Sequence, residues 1–221
     1  MERHFACTAC GKCCHGLLPL TIADALAHAD KFPLIMIWTP VRQGARSFGI
    51  TGDLGITIQL KKRKLVAVQI APTAYIPPSF ACPELTGEGL CGIHDVKPLR
   101  CRTMPFSAYL DEKDQEELLI PRAGWECDTS DEAPTVYRDK SIVDRTGFDD
   151  ERRQLVRDAT ILKPYAEWLL DSVPSLNMDL QKVAMKPAGG RVLVAFSTLI
   201  PRLPKVDIYA IAEKQLPLMR T

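Results

Sequence analysis

Apolar and polar residues alternate on both sides of a basic run near residue 62, and a spacing of two is typical of half-buried β-strands. The alternation covers about residues 48–71 and flanks Lys61-Lys62-Arg63-Lys64. We therefore predict two strands joined by a turn, with the basic run as a solvated hairpin tip; the alternative is a nucleic-acid or membrane patch. The alternating apolar residues are Ile56, Ile58, Leu60, Val66, Val68 and Ile70.

A short helix is predicted in the first 35 residues. Thr21 can serve as its N-cap, and Asp24 follows three residues later, as in a capping box. Leu26 and Ala29 supply an apolar side, and the helix must end before Pro33, because proline cannot continue it.

The last third of the chain alternates helical and extended patterns. A helix capped by Asp149 or Asp150 presents an apolar stripe that Pro164 breaks or restarts. Residues 117–121 predict a short strand, 128–147 an irregular segment, 191–199 a strand, and 206–216 a last amphipathic segment. The stripe consists of Leu155, Ala159, Leu162, Tyr165, Trp168 and Leu169.

The composition is that of an ordinary globular protein with many loops. Of 221 residues, 46% are hydrophobic and 25% charged, and 17 prolines with 13 glycines favour short elements over a helical bundle. We predict an α+β fold, in which cysteine-rich loops clamped by metal are backed by a small antiparallel sheet and a few helices. Residues 1–130 form the cysteine-rich metal- or iron–sulfur-binding region, and residues 131–221 form a helix-plus-strand part packed on it as one compact unit.

Charge and apolar runs argue against several kinds of partner. The net charge of +1 gives no general attraction to nucleic acid or to an anionic membrane, so neither partner is expected. No basic segment followed by an apolar run opens the sequence, and the apolar stretch at 192–200 falls short of the roughly 20 residues that cross a bilayer. We expect a cytoplasmic protein, and an unidentified protein partner stays open.

Eight cysteines in a chain expected in the cytoplasm indicate metal binding or redox chemistry, because disulfides are rare there. The C-x-x-C-x-x-C-C motif at residues 7–14 lets the thiolates of a tight turn converge on one centre. Gly11 permits the sharp turn, and Lys12 favours the thiolate form. We expect the side chains of Cys13 and Cys14 to diverge, so that one binds a first centre while the other faces a second or stays free.

The other four cysteines are spread over residues 82–127. His94, three residues after Cys91, has the spacing of a ligand, but a structural role is favoured for it, and His4, His15 and His28 are weaker candidates. Arg100 and Arg102 flank Cys101 and either offset the charge of a multi-thiolate centre or form surface ion pairs. The candidate ligands, for two four-ligand sites or one centre with additional structural or redox cysteines, are Cys7, Cys10, Cys13, Cys14, Cys82, Cys91, Cys101 and Cys127.

Taken in order, these motifs resemble the signature of the YkgJ-type CxxCxxCC family, whose members are described as zinc- or iron-chelating proteins. Tyrosine often stands in that family where this chain has His94, so the resemblance does not imply a histidine ligand. Flagellin lysine N-methylases carry a similar signature associated with an iron–sulfur cluster, which implies such a cluster here. The matching segments, within residues 5–127, are Phe5 to Cys14, Cys82-Pro83-x-Leu85, Cys91-x-Ile93-His94, Lys97-Pro98-Leu99-Arg100-Cys101-Arg102 and Pro105-Phe106.

Three classes of function follow from this reading. The leading prediction is a metal-binding protein that holds a 4Fe–4S cluster through cysteine thiolates, with zinc as the alternative metal and a redox role left open. The second class is a cluster-dependent protein-modifying enzyme similar to a lysine N-methyltransferase, and the third is a purely structural zinc protein. No S-adenosylmethionine loop or Ser/His/Asp set stands out in the sequence, so no catalytic residue is predicted.

Overall fold

The computed structural model describes residues 2–60 and 63–219, and its mixture of helices and antiparallel sheets confirms the predicted α+β class. The strands are β1 (Glu2–His4), β2 (Leu18–Pro19), β3 (Leu34–Arg42), β4 (Ile56–Gln59), β5 (Leu65–Ala74), β6 (Thr135–Arg138), β7 (Ser141–Ile142) and β8 (Val192–Ala195). The helices are α1 (Ile22–Ala27), α2 (Phe48–Leu54), α3 (Leu99–Thr103), α4 (Thr146–Ser172), α5 (Pro174–Met185) and α6 (Ile208–Leu218). Short 3-10 turns occupy His94–Val96, Glu112–Asp114, Glu116–Leu119, Phe196–Thr198 and Ile200–Arg202.

The larger sheet has the antiparallel order β2-β5-β3-β8, and β4 also pairs with β5. Strand β3 pairs with β5 along its whole length, from Leu34 opposite Ala74 to Arg42 opposite Val66. On its other edge β3 pairs with β8, with Trp38 opposite Val192. A strand from the C-terminal third therefore completes a sheet built from the first 74 residues; the division at residue 130 stays a prediction.

The predicted hairpin is present as β4 and β5, and the amide of Leu60 donates to the carbonyl of Lys64 at 2.7 Å. Lys61 and Lys62 of the basic run lie outside the described residues. The extension of the strand pattern back to residue 48 is wrong, because residues 48–54 form α2. This helix buries Thr51 and Leu54 at a spacing of three, and a Cβ at Gly52 would stand 2.9 Å from Oγ1 of Thr57, so the glycine permits close approach to β4.

The first predicted helix is present as α1. The hydroxyl of Thr21 accepts a hydrogen bond from the amide of Asp24 at 3.0 Å and donates one to its carboxylate at 2.8 Å. The helix ends at Ala27, ahead of Pro33, and buries Ile22 and Ala25 against the sheet.

The long helix α4 begins earlier and runs further than its pattern predicts. It starts at Thr146, so Asp149 lies within its first turn and is not the cap. Pro164 does not break the helix. Because proline has no amide hydrogen, the carbonyl of Thr160 loses its usual helical partner. Both residues are exposed, so water can replace that hydrogen bond. The predicted stripe is buried except for Trp168, which is 40% exposed.

Several extended segments differ from expectation. A 3-10 turn replaces the strand predicted at 117–121, and the hairpin of β6 and β7 lies inside the segment 128–147 that was predicted to be irregular. Strand β8 is shorter than the predicted 191–199, because the chain turns at Phe196. The spacing of apolar residues did not predict three elements that position the core or the cysteines. These elements are strand β3 and helices α3 and α5.

Candidate metal centre

The C-x-x-C-x-x-C-C motif forms a compact turn that a left-handed backbone makes possible. Ala9 and Gly11 have φ angles of 57° and +70°, and the amide of Cys14 donates to the carbonyl of Gly11 at 3.0 Å. Gly11 is buried, and a Cβ on it would stand 3.1 Å from Cδ2 of Leu85. The turn therefore packs directly on the loop that follows Cys82.

The segment around Cys127 is tied to the beginning of this turn. Ala6 and Asp128 exchange backbone hydrogen bonds of 2.8 and 3.0 Å, and the hydroxyl of Thr8 donates to the carbonyl of Glu126 at 2.8 Å. Because the paired residues directly precede Cys7 and follow Cys127, these two cysteines are neighbours despite 120 residues between them. Strands β1 and β6 continue the same pairing on the other side of Phe5.

The loop that carries Cys82 and Cys91 is tied to the end of the turn. The amide of Cys82 donates to the carbonyl of Cys14 at 2.7 Å, and His15 forms a β-bridge with Ala81. Within the loop, Leu85 and Cys91 form another bridge, which brings the chain at Cys91 back alongside the segment that follows Cys82.

Helix α3 carries Cys101 and is anchored on both sides. The amide of Leu99 donates to the Asp24 carboxylate at 3.1 Å, and the hydroxyl of Thr103 donates to the carbonyl of Gly147 at 3.1 Å. A Cβ at Gly147 would stand 3.3 Å from the carbonyl oxygen of Arg102, so the first turn of α4 touches α3 backbone to backbone. The chain therefore presents Cys101 from a fixed helix.

The two arginines beside Cys101 differ in their partners. Arg100 lies 3.4 Å from the carboxylate of Glu151, which is 3% exposed, and donates to the sulfur of Met104 at 3.2 Å. Arg102 donates to the backbone carbonyls of Lys97 at 2.9 Å and of Asp95 at 3.3 Å. The ion pair of Arg100 is thus part of the interior, and the alternative of a surface ion pair is wrong for it.

Hydrogen bonds to sulfur favour the thiolate at two cysteines of the turn. The amides of Lys12 and then Glu126, which hydrogen-bond its sulfur, lower the pKa of Cys10. A hydrogen bond from the Cys14 thiol, whose sulfur is 3.9 Å away, lowers the pKa of Cys13 to about 6. The same bond, followed by burial and by the charges of Cys13, Cys82 and Cys101, raises the pKa of Cys14.

At the other cysteines with a shifted pKa, burial dominates and neighbouring thiolates add to it. Burial and then the charges of Cys82 and Cys91 raise the pKa of Cys101 to about 12, while Arg100 opposes the shift. Burial also raises the pKa of Cys127, with further contributions from Cys10, Cys7 and Cys13, in that order. Thiols that repel one another as anions are the groups that a cation stabilises when it binds.

The donor set fits zinc or an iron–sulfur group in its chemistry, but not as a preformed site for one ion. All eight thiols are free, and amide hydrogen bonds to sulfur accompany metal–thiolate sites. Across residues 2–60 and 63–219, however, no three His, Cys, Asp or Glu side chains stand where they could hold a single metal ion. The sulfurs of Cys13 and Cys14 lie 3.9 Å apart, and their assignment to different centres stays a prediction.

The histidines take positions that agree with structural roles for two of them. The Nδ1 atom of His4 is 2.7 Å from the carbonyl oxygen of Ala133, and His28 is buried at the end of α1, edge-on to Phe32. His15 and His94 are exposed, and His94 opens a 3-10 turn. The structural role favoured for His94 and the weaker candidacy of His15 as a ligand stay predictions.

One residue that the sequence reasoning missed is Glu151. It lies on the inward face of α4, four residues before Leu155, and the sequence indicates it only as a carboxylate at the helical spacing of an apolar stripe. A buried charge requires a partner, and here that partner is Arg100, next to Cys101.

Eight free cysteines, gathered by backbone pairing from distant parts of the chain, are typical of a metal-binding protein. The family model described as "CxxCxxCC: Putative zinc- or iron-chelating domain" matches residues 6–128, more than half of the chain. This protein belongs to that family, as the resemblance of its motifs predicted, and binding of zinc or iron is the property the family description supports. Neither the curated proteins nor the solved structures contain a match to the chain. In the part of the chain that is described, no helix has the length and apolar character needed to span a membrane.

Proposed function

We propose that this protein holds an iron–sulfur cluster of the 4Fe–4S type through its cysteine thiolates and works in the reducing cytoplasm. The observation that carries the proposal is a set of eight free thiols, brought together by backbone pairing, in which no three ligands meet around one ion position. In a cluster each cysteine binds a different iron, so its ligands stand further apart than those of a single ion. Free thiols also agree with a reducing compartment.

A redox role is part of the proposal, and the solvent exposure of two of the cysteines supports it. Cys7 and Cys13 are exposed, whereas Cys82 and Cys91 pack against the hydrophobic core. A cluster bound at the exposed side would lie near the surface, where a protein partner could exchange electrons with it. Arg100 would tune such a centre, because positive charge near a cluster favours its more reduced, more negative state.

Structural zinc is the second candidate, and a specific distance favours it. Two thiolates on one tetrahedral zinc, each about 2.3 Å from the metal, stand about 3.8 Å apart. The sulfurs of Cys13 and Cys14 are 3.9 Å apart. This pair is therefore compatible with a zinc ion, although the other thiols would have to rotate toward it.

The enzyme alternative receives no comparable support. One hollow is lined by α4 between Arg145 and Arg153, and another lies between β4 and α4. Neither is lined by a cysteine. We therefore do not propose a reaction.

The deciding experiment is the content of iron, acid-labile sulfide and zinc in protein purified without oxygen, together with its visible spectrum. We expect brown protein with matching iron and sulfide and with broad absorption near about 400 nm. Stoichiometric zinc without sulfide would replace the proposal with the structural zinc protein. Protein free of bound metal after anaerobic purification, and unable to take up iron with sulfide or zinc, would contradict both.

A further inference from the structure

We propose that the eight cysteines divide into two adjoining four-thiolate centres, with the boundary between Cys13 and Cys14. The proposal rests on the proposed function, since it requires that the thiolates bind metal at all. The first centre would consist of Cys7, Cys10, Cys13 and Cys127, and the second of Cys14, Cys82, Cys91 and Cys101.

Backbone hydrogen bonds assign Cys127 to the beginning of the first turn. The Ala6–Asp128 pair and the bond from Thr8 to Glu126 hold the segment 126–128 beside residues 6–8. Cys7 and Cys127 therefore belong to one neighbourhood, and Cys10 and Cys13 complete the C-x-x-C-x-x-C turn of which Cys7 is part.

A different set of contacts assigns Cys82, Cys91 and Cys101 to Cys14. The amide of Cys82 donates directly to the carbonyl of Cys14 at 2.7 Å, and the Leu85–Cys91 bridge closes the loop next to it. Helix α3 meets this loop through α1 and the turn after it. The Asp24 carboxylate accepts the amide of Leu99, and Lys31 lies 3.6 Å from the Glu84 carboxylate.

The division gives a physical role to the adjacent pair of cysteines. Consecutive residues on a tight turn can each reach a different side, and the carbonyl of Cys14 accepts a hydrogen bond from the amide of Cys82. The contact of 3.9 Å between the two sulfurs places the centres side by side. Within each centre the thiols would turn toward the metal as it binds, because no three of them stand around one ion position in residues 2–60 and 63–219.

The test uses zinc ions alone as the probe, on the full chain prepared without bound metal, with the zinc bound per chain counted by native mass spectrometry. We expect two zinc ions per chain for the wild-type protein and one for the double variant Cys10→Ser/Cys127→Ser, because both changes fall in the first centre. The double variant Cys91→Ser/Cys101→Ser should also retain one. The cross pair Cys101→Ser/Cys127→Ser damages both centres and should retain none. His94→Ala, beside Cys91 but outside either set, is the control and should keep two.

One zinc ion on the wild-type chain, or complete loss in a double variant confined to one set, would overturn the division. No zinc on the wild type would also overturn the division, whereas the proposed function fails only if the chain takes up no iron with sulfide either. Since a variant can lose metal by failing to fold, the wild type provides a second measurement: alkylation of free thiols at limiting zinc, read by mass spectrometry. Protection of Cys7, Cys10, Cys13 and Cys127 as one group, separate from the other four, is expected, and protection that mixes the sets would contradict the proposal.

Discussion

At the scale of single residues, the site depends on positions with no sulfur of their own. Gly11 holds the first cysteine turn in a left-handed conformation, with φ at +70°, and lies buried against Leu85. Glu151 holds Arg100 beside Cys101 from a helix 50 residues further along the chain. In both cases the sequence identifies the cysteine, and the geometry depends on its neighbour.

We predict that Gly11→Ala lowers the free energy of unfolding by about 1–2 kcal/mol, because the left-handed backbone is costly for any residue with a Cβ. The new methyl group would also stand 3.1 Å from the Leu85 side chain. The variant should bind less metal, because the turn between its ligands is distorted. Gly87→Ala is the matched control in the same region, since a Cβ there meets no atom within 4 Å. Chemical denaturation and metal analysis measure both effects, and equal behaviour of the two variants would contradict the prediction.

The buried carboxylate of Glu151 predicts a pH dependence of stability. Burial raises its pKa above the ordinary value, although Arg100 opposes the shift. The folded state then binds the proton more tightly than the unfolded state, so this contribution is present at low pH and is lost as the pH rises from about 4.3 through the raised pKa. The side chain in Glu151→Gln does not titrate, so the variant does not lose stability in this way as the pH rises.

The measurement is the free energy of unfolding of the wild type and of Glu151→Gln at several pH values between about 4.5 and 7. The free energy of unfolding of Glu151→Gln should increase relative to that of the wild type as the pH rises. Glu117→Gln serves as the control, because Glu117 is 72% exposed in its pair with Arg46 and should follow the wild type. A constant difference between Glu151→Gln and the wild type would show that the carboxylate titrates normally.

At the scale of elements, strand β3 organises the molecule, although its pattern did not predict it. Leu34–Trp38 is a continuous apolar run followed by Pro40, and such a run fits a buried strand or a piece of helix equally well. The structure buries Met36 and Trp38 completely, with β5 on one edge of the strand and β8 on the other. Helix α5 packs on β3 and closes the core from the C-terminal side.

We predict that Leu180→Ala in α5 lowers the free energy of unfolding by about 2–5 kcal/mol, the usual range for a cavity in a well-packed core. Leu180 is 0% exposed and belongs to the main cluster of buried residues. Met178→Ala on the same helix removes a side chain that is 56% exposed, and should cost less than about 0.5 kcal/mol. Urea denaturation compares the two, and a similar cost for both would mean that α5 does not close this core.

At the scale of the whole molecule, the candidate ligands span residues 7–127 and connect the small sheet, the cysteine loops and α3. Cys82 and Cys91 pack directly against the main core, so the proposed centres and the hydrophobic interior share a boundary. If the metal binds the folded chain and not the unfolded chain, in which the thiolates are far apart, its binding free energy stabilises the fold.

We therefore predict that removing the metal destabilises the entire fold and not only the cysteine loops. The melting temperature should fall after demetallation under reducing conditions, and adding the metal back should restore it. Far-ultraviolet circular dichroism, which follows the helices, and tryptophan fluorescence should report the same shift. An unchanged melting curve, with the absence of metal verified, would contradict the coupling.

The sequence by itself determined the parts that follow from local chemistry. Three predicted features depend only on residues that are close in sequence, and each is present in the structure. They are the capping pair Thr21 and Asp24, the hairpin around the basic run, and the apolar stripe of α4. The family and its set of eight cysteines are also read from short motifs, because thiolate chemistry needs that residue type at that spacing.

Only the tertiary structure decided which distant residues meet. Periodicity cannot reveal that Cys127 lies beside Cys7, that Glu151 pairs with Arg100, or that β8 completes the sheet on β3, because each contact joins segments more than 50 residues apart. It also decided against a strand at residues 48–54, where the fit of Gly52 against β4 outweighs the low helix propensity of glycine. Pairing between distant segments depends on how the whole chain packs, and a pattern within one short segment carries no information about that packing.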